Sequence, residues 1–198
     1  MATKTVDVVV NLKPINVRTM RVTIEGTSPL IMHKWSDKAM RQMREKGLGK
    51  KTKERDARNP EIESKSATYY TSDKKYGVPL LALKSAIIMA AHKDIGIEKT
   101  LVRKGLFIKS PDADLILPMK CSAPKIREDC VRVGMGAADL RYRPQFDEWS
   151  VELNMEYDAD LLQPTDIVNL IDRAGFGVGI CEWRPEKGGE FGRFRVRA

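Results

Sequence analysis

Alternation of apolar and polar side chains predicts several extended strands. Residues 17–26 (VRTMRVTIEG) place the two kinds of side chain on opposite sides of a strand that Gly26 ends. The same alternation extends from Trp149 to Tyr157, and it predicts that both of these aromatic rings lie in the core. Phe194 of the last strand is expected in the core for the same reason. The remaining predicted strands are 101–110, 113–119 and 191–198, and residues 130–146 predict either a hairpin or a glycine-kinked strand.

Apolar positions spaced three to four residues apart predict three helices. Ser36 is the expected N-cap of residues 37–47, a short and highly charged helix. Residues 77–93 are apolar on nearly all sides, with Pro79 in the expected first turn, and they predict a buried central helix. Residues 163–175 predict the last helix, which leads into a glycine-rich segment.

The order of these elements predicts an α+β fold. Strand, helix and strands, followed by strand, helix and strand, is the order of two split βαβ units. Such units form a ferredoxin-like or RRM-like core, in which an antiparallel sheet carries both helices on one face and leaves the other face free to bind a ligand. A length of 198 residues suits one substantial domain, so residues 1–198 are treated as a single domain.

The charge of the chain favours a polyanionic partner. Lysine and arginine number 35 against 27 aspartate and glutamate residues, for a net charge of +8. Eight basic and only three acidic residues fall within 41–58. Residues 47–67 also contain glycine, proline and almost no apolar side chain, so we expect a long basic loop inserted into the domain.

Several other classes of protein are disfavoured. No run of 18 or more apolar residues is present, and the first residues lack the pattern of a signal peptide, so we expect a cytoplasmic protein without a membrane span, in a bacterial or phage-infected cell. Three cysteines in no CxxC pair indicate free thiols. Two histidines without ligand spacing predict no metal site, and no cofactor is expected.

Residues 175–194 (GFGVGICEWRPEKGGEFGRF) contain six glycines. A dinucleotide fingerprint requires a third glycine where Ile180 stands, and it precedes a helix, whereas this segment follows one. A Walker A loop requires Ser or Thr after its lysine, but Gly188 follows Lys187. The segment is therefore predicted to connect the last helix to the last strand. It either presents Arg184 and Lys187 to a phosphate or a neighbouring chain, or is tightened by glycine for packing alone.

Three segments in this order resemble the RAMP (repeat-associated mysterious protein) superfamily, which builds RNA-binding backbones of CRISPR effector complexes and includes guide-processing ribonucleases. They are the glycine-rich connection after the last helix, TSPLIM at 27–32, which looks like a (T/S)PL turn, and 77–91 (GVPLLALKSAIIMAA). The last is similar to the PGSSLKGALR entry into the first helix, with Leu80 to Lys84 in place of the Gly-Ser-Ser-Leu-Lys run. The chain also resembles small proteins of tailed phages.

The resemblance implies a subunit that holds single-stranded nucleic acid and polymerises along it as a homo-oligomeric filament, with CRISPR or phage recombination proteins as further partners. The residues favour the same function, since cations interleaved with aromatic rings neutralise phosphates and stack on bases. The predicted nucleic-acid contacts are Trp35, Arg41, Arg44, Lys50, Lys51, Lys53, Arg55, Arg58, Lys84, Arg141, Arg143, Trp183, Arg184, Lys187 and Arg193.

Three alternatives stay open at the level of sequence. The first is a phage protein that binds or anneals single-stranded DNA. The second is a metal-independent ribonuclease that uses His33 as general base or acid, with Lys34 beside it to stabilise charge. The third is a phage inhibitor that mimics a CRISPR backbone subunit. We expect no catalysis, because no catalytic partner for His33 and no GxSxG motif is evident.

Overall fold

The computed structural model of the chain describes residues 12–49, 58–133 and 136–197. Within these ranges the chain forms nine strands and five helices. The strands are β1 (Val17–Gly26), β2 (Leu30–Ile31), β3 (Gly77–Pro79), β4 (Leu106–Lys109), β5 (Ile116–Cys121), β6 (Lys125–Val133), β7 (Ala137–Phe146), β8 (Trp149–Asp158) and β9 (Phe194–Val196). The helices are α1 (Asp37–Gly47), α2 (Pro60–Ser66), α3 (Leu80–Ile95), α4 (Lys99–Gly105) and α5 (Pro164–Arg173).

The larger sheet has β8 at its centre. Along one edge β8 pairs with β1 over nearly its full length, and along the other it pairs with β4 and β5, which lie end to end. The strand order is β3-β5-β8-β1-β9, with β4 also beside β8, and every pair is antiparallel. This is the order expected of two split βαβ units, and the ferredoxin-like α+β prediction is confirmed.

One face of this sheet forms the core with α3 and α5. Alternate residues of β8 are buried, from Trp149 to Tyr157, and Leu153 between them is inaccessible to solvent. Phe194 of β9 is buried as well and lies edge-on to the Trp149 ring. The sequence prediction of these core aromatic residues is confirmed. Full burial of each such large apolar side chain stabilises the fold by about 1.5 to 3 kcal/mol.

A smaller sheet of order β2-β7-β6 extends from the core. Its β6–β7 hairpin confirms the prediction for 130–146, although β6 begins earlier, at Lys125. The short helix α2 packs on this hairpin.

Two predicted segments differ from the structure. The expected loop over 47–67 includes α2, because Asn59 caps it by accepting hydrogen bonds from the backbone of Glu61 and Ile62. Low apolar content concealed this helix, which packs on the hairpin and needs no core of its own. The expected strand over 101–110 begins as α4, whose last turn contains two basic residues, a feature that suits a helix C-terminus. Pro79 lies in β3 as the residue before α3.

Candidate nucleic-acid interface

A groove of about 540 Å³ lies between α3 and the connection from α5 to β9, and we call it the α3 groove. Its walls are mainly apolar on the α3 side and mixed on the other side. The α3 side consists of Pro79, Leu81, Ala82, Ser85, Ala86 and Met89. The other side consists of Val178, Gly179, Ile180, Cys181, Glu182, Arg184, Glu186 and Lys187, and His33 and Tyr69 complete the lining.

Glycine allows the connection to fold tightly beside the groove. After α5 the chain continues through one π-helical turn, Ala174–Val178, and later through a 3-10 turn, Pro185–Lys187. A Cβ atom on Gly175 would collide with the carbonyl oxygen of Phe194. Gly192 has a φ of +67°, and its Cβ would collide with the carbonyl oxygen of Ile180. These glycines are thus required for packing, and the connection from last helix to last strand is as predicted.

The connection is hydrogen-bonded to the TSPLIM segment. The backbone N–H of Glu182 donates to the carbonyl of Ile31 at 3.1 Å, and that of Gly192 donates to the carbonyl of Pro29 at 2.8 Å. The N–H of Arg193 donates to the hydroxyl of Ser28 at 3.0 Å. Two segments that the sequence singled out separately therefore form one rigid wall, and the third, 77–91, lines the opposite side of the groove.

Trp183 is held in an unusual backbone conformation on this wall. Its φ is +53°, and Cys181 nearby has a φ of +62°. Left-handed conformations of non-glycine residues cost of order 1 to 3 kcal/mol each and occur where surrounding contacts enforce them. The Trp183 carbonyl accepts a hydrogen bond from the N–H of Phe191 at 3.0 Å, and its side chain is 44% exposed. An aromatic ring is thus presented to solvent beside the groove.

The cations of the connection have different surroundings. The Arg184 guanidinium donates to Glu186 at 2.9 and 3.1 Å and to the Cys181 carbonyl at 2.9 Å, so it stabilises the turn itself. Lys187 lines the groove and is exposed. Arg193 lies 5.1 Å from the centre of the Phe176 ring and forms an ion pair with Glu190 at 3.4 Å.

His33 lies where the groove meets the β6–β7 hairpin. Arg141 donates to His33 Nε2 at 3.1 Å, and because arginine cannot accept, a neutral His33 ring carries its proton on Nδ1. Nδ1 lies 3.8 Å from a carboxylate oxygen of Glu182. Burial, followed by the charge of Arg143, lowers the pKa of His33 below its usual 6.5.

Arg143 does not lie on an exposed basic face. Its guanidinium is buried between Asp129, at 3.5 Å, and Glu182, at 3.9 Å. Strand alternation alone could not reveal this, because the face of β7 that carries Arg143 is covered. The neighbouring Arg141 is only partly buried, and it also pairs with Asp139 at 3.0 Å.

Lys84 also has an internal role. Its ammonium donates to the carbonyls of Val102 and Arg103, at 3.3 and 3.5 Å, and lies 4.8 Å from the centre of the Phe107 ring. It thereby caps the C-terminal end of α4. Burial lowers the pKa of Lys84 to about 8.

The remaining predicted contacts lie around α1 and the insertion. Trp35 is 57% exposed, and Arg41 and Arg44 are exposed on α1. Arg58 pairs with Asp139 and donates to the Leu140 carbonyl of the hairpin. Lys50, Lys51, Lys53 and Arg55 lie outside the described residues. The contact of all these residues with nucleic acid stays a prediction. The exposed ones among those described are Trp35, Arg41, Arg44, Arg58, Trp183 and Lys187, and of these Arg58 is paired with the hairpin.

The open face of the larger sheet is close to electrically balanced. Arg195 and Arg197 of the last strand region both bind Glu25, at 2.7 and 2.9 Å, and hydrogen bonds from Arg197 and then Arg195 lower the pKa of that carboxyl. On the same face Lys109 pairs with Glu156 at 2.5 Å. The paired charges make this face a weaker candidate for a polyanion than the groove.

Two lining residues that sequence reasoning missed are acidic. Glu182 and Glu186 belong to the glycine-rich segment and were not among its predicted functional residues. Their signal was present in the sequence, because each stands next to a basic or aromatic candidate residue. Cys181 also lines the groove, and burial raises the pKa of its thiol to about 12, so the thiol stays protonated at neutral pH.

Within residues 12–49, 58–133 and 136–197, no group of three or more histidine, cysteine or acidic side chains is placed to hold a metal ion. Across the same described ranges, no helix has the length and apolar character needed to cross a membrane.

Comparison with known proteins identifies relatives by fold. No protein-family model matches the sequence, and no curated protein matches it. A chain of the cryo-EM structure of the Type III-B Cmr-beta bound to cognate target RNA matches 92% of this chain with a TM-score of 0.54 and 8% sequence identity. This chain spans 59% of that chain's length. Cmr6 from Pyrococcus furiosus matches 93% of this chain and 100% of its own, with a TM-score of 0.43 and 8% identity.

The class of fold follows from this similarity. The present chain therefore shares its overall fold with the Cmr-beta chain, with a TM-score above 0.5. At 8% identity the likeness to the Cmr-beta chain concerns the fold alone.

Proposed function

We propose that this protein is a non-catalytic, single-stranded nucleic-acid-binding protein that oligomerises along the strand, and that the α3 groove and its rim hold that strand. The observation that carries the proposal is the meeting of segments that are far apart in sequence. The glycine-rich connection faces the start of α3 across the groove, and the TSPLIM segment is hydrogen-bonded to that connection.

The chemistry of the rim supports a single strand as the ligand. Lys187 is an exposed cation of the groove lining, and Trp183 is exposed between two lining residues, Glu182 and Arg184. Stacking of one base on an aromatic ring contributes about 1 to 3 kcal/mol, and it needs a base that is not stacked in a duplex. The net charge of +8 adds long-range attraction for a polyanion.

The fold neighbour supports the same class of ligand. The Cmr-beta structure contains cognate target RNA. RNA is therefore the first candidate for the present chain, with single-stranded DNA as the alternative.

The surface near α1 supports assembly with a second copy of the chain. Trp35, Met40, Met43 and Leu48 are exposed apolar residues within a short stretch of chain. Exposed large apolar side chains are enriched at protein interfaces.

The surroundings of His33 favour binding over catalysis. Arg141 donates a hydrogen bond to Nε2. The nearest carboxylate oxygen of Glu182 is 3.8 Å from Nδ1, which is too far for a hydrogen bond. A general base needs a free ring nitrogen within reach of the substrate hydroxyl.

The test is fluorescence anisotropy with labelled single-stranded RNA, single-stranded DNA and duplex DNA of equal length at several salt concentrations, with size exclusion of each mixture. The proposal expects salt-sensitive binding to single strands, weaker binding to the duplex, and larger species in proportion to strand length. Intact RNA after long incubation is expected as well. Absence of binding to all three at low salt would overturn the proposal and direct attention to a protein partner.

A further inference from the structure

One carboxylate in the α3 groove is still available to accept hydrogen bonds. The Glu182 side chain is 38% exposed and lines the groove. His33 Nδ1 lies 3.8 Å and Arg143 Nη2 lies 3.9 Å from this carboxylate. The Arg143 cation attracts it, the His33 ring is neutral, and both groups are too far away for hydrogen bonds. A carboxylate has about four lone-pair sites, so Glu182 can accept donors from a ligand in the groove.

The part of the groove lined by Glu182 does not suit a phosphate. A phosphate placed against Glu182 would meet a like charge, whereas the Arg184 cation nearby is already bound by Glu186. A ligand group that fits must be uncharged or positive and must carry N–H donors.

The rest of the lining suits the faces of a flat aromatic ring. Leu81, Ala82 and Met89 supply an apolar surface from α3, while Tyr69 and His33 supply aromatic rings near Glu182. Tyrosine and histidine are among the side chains on which unstacked bases commonly lie.

We propose that the α3 groove takes one unstacked nucleobase with its Watson–Crick edge toward Glu182, and that it selects bases carrying an amino group, guanine first. This inference rests on the proposed function. Guanine offers two adjacent donors, N1–H and the 2-amino group, to the two oxygens of one carboxylate. Cytosine and adenine offer one amino group, whereas the single N3–H of uracil lies between two carbonyl oxygens that the carboxylate repels.

The first experiment measures affinity for single-stranded RNAs of equal length in which uridine alternates with guanosine, adenosine or cytidine, and for oligouridine. We expect the guanosine-containing strand to bind about tenfold more tightly than oligouridine, the discrimination typical of one good base-edge contact. Cytidine and adenosine strands are expected between them. Equal affinity for all four strands would overturn base selection while leaving the proposed function intact, and no binding to any would overturn both.

The second experiment assigns the selection to Glu182. Glu182→Gln replaces one acceptor oxygen by a donor group, so it is expected to remove the preference for guanosine while oligouridine binding is retained. Glu190→Gln is the matched control, because it makes the same change on the same connection at a side chain that is 84% exposed and outside the groove lining. A guanosine preference that survives Glu182→Gln would overturn the assignment. Thermal unfolding verifies that each variant is folded, and Glu182→Asp, which retains the carboxylate, is expected to keep part of the preference.

Discussion

The ring of His33 is kept neutral by its surroundings. Burial has the largest effect on its pKa and the positive charge of Arg143 adds to it, whereas Glu182 acts in the opposite direction and Arg141 lowers the pKa least. A neutral ring lets Nε2 accept the hydrogen bond from Arg141, which joins the TSPLIM segment to the hairpin. Protonation would replace this bond by repulsion between two cations.

Acidification is therefore expected to destabilise the fold through His33. The pKa of His33 is lowered in the folded state, so the unfolded chain binds more protons once the pH falls below the usual value of 6.5. The stabilisation is complete above pH 6.5 and is lost as the pH falls toward the lower folded pKa. Urea unfolding at a series of pH values should show this slope in the wild type and a smaller one in His33→Asn. An NMR titration midpoint of His33 at or above 6.5 would contradict the assignment.

Gly192 is expected to be irreplaceable, because it combines a left-handed backbone with close packing. Gly192→Ala should destabilise the fold by more than the 1 to 2 kcal/mol typical of a left-handed L-residue, because the added methyl group would also meet the Ile180 carbonyl. Gly188→Ala is the control, since Gly188 has a φ of +78° but no neighbour near the added Cβ. Urea unfolding should show a clearly larger loss of unfolding free energy for Gly192→Ala than for Gly188→Ala. Equal losses would contradict the packing role of Gly192.

At the scale of elements, the sequence predicts best where periodicity and caps agree. The alternation over 17–26 coincides with β1, and Ser36 accepts a hydrogen bond from the N–H of Ala39 at 3.2 Å as the N-cap of α1. Each of the three segments bordering the groove was also identified from sequence. The contact between the TSPLIM segment and the connection was implied only by the order of the motifs. It consists of hydrogen bonds between residues more than 150 positions apart, and no local sequence pattern predicts such bonds.

Elements without a strong pattern were missed for physical reasons. The seven residues of α2 contain a single large apolar side chain, Ile62, and it is 66% exposed. Residues 101 and 102 are both apolar, and two adjacent apolar residues are equally compatible with a strand and with a short helix such as α4. Arg143 was predicted to contact nucleic acid, but it is buried between Asp129 of the paired strand and Glu182 of the connection, and neither partner is near it in sequence.

Asn59 is expected to determine the stability of α2. Its side-chain oxygen accepts hydrogen bonds from the N–H groups of Glu61 and Ile62, both at 3.1 Å. Asn59→Ala should lower the free energy of unfolding by about 1 kcal/mol, whereas Asn59→Asp keeps a capping oxygen and should be close to the wild type. Equal stability of the alanine variant and the wild type in urea would contradict this role.

At the scale of the whole molecule, the distribution of charge distinguishes two surfaces. The open face of the larger sheet holds cations that are matched by carboxylates, as at Arg195, Arg197 and Glu25. The groove side instead presents Lys187 and Trp183 at a wall that the TSPLIM segment fixes in place. We therefore expect a polyanion to bind on the helix side of the sheet, although ferredoxin-like folds leave the opposite face uncovered.

The most direct test of this placement compares two charge reversals by anisotropy titration with single-stranded RNA. Lys187→Glu changes the groove rim, and Lys120→Glu makes the same charge change on the open face of β5. We predict that Lys187→Glu weakens binding about tenfold at low salt and lowers the salt slope by about 1, while Lys120→Glu binds like the wild type. Loss of binding in Lys120→Glu with normal binding in Lys187→Glu would place the strand on the open face and contradict the account.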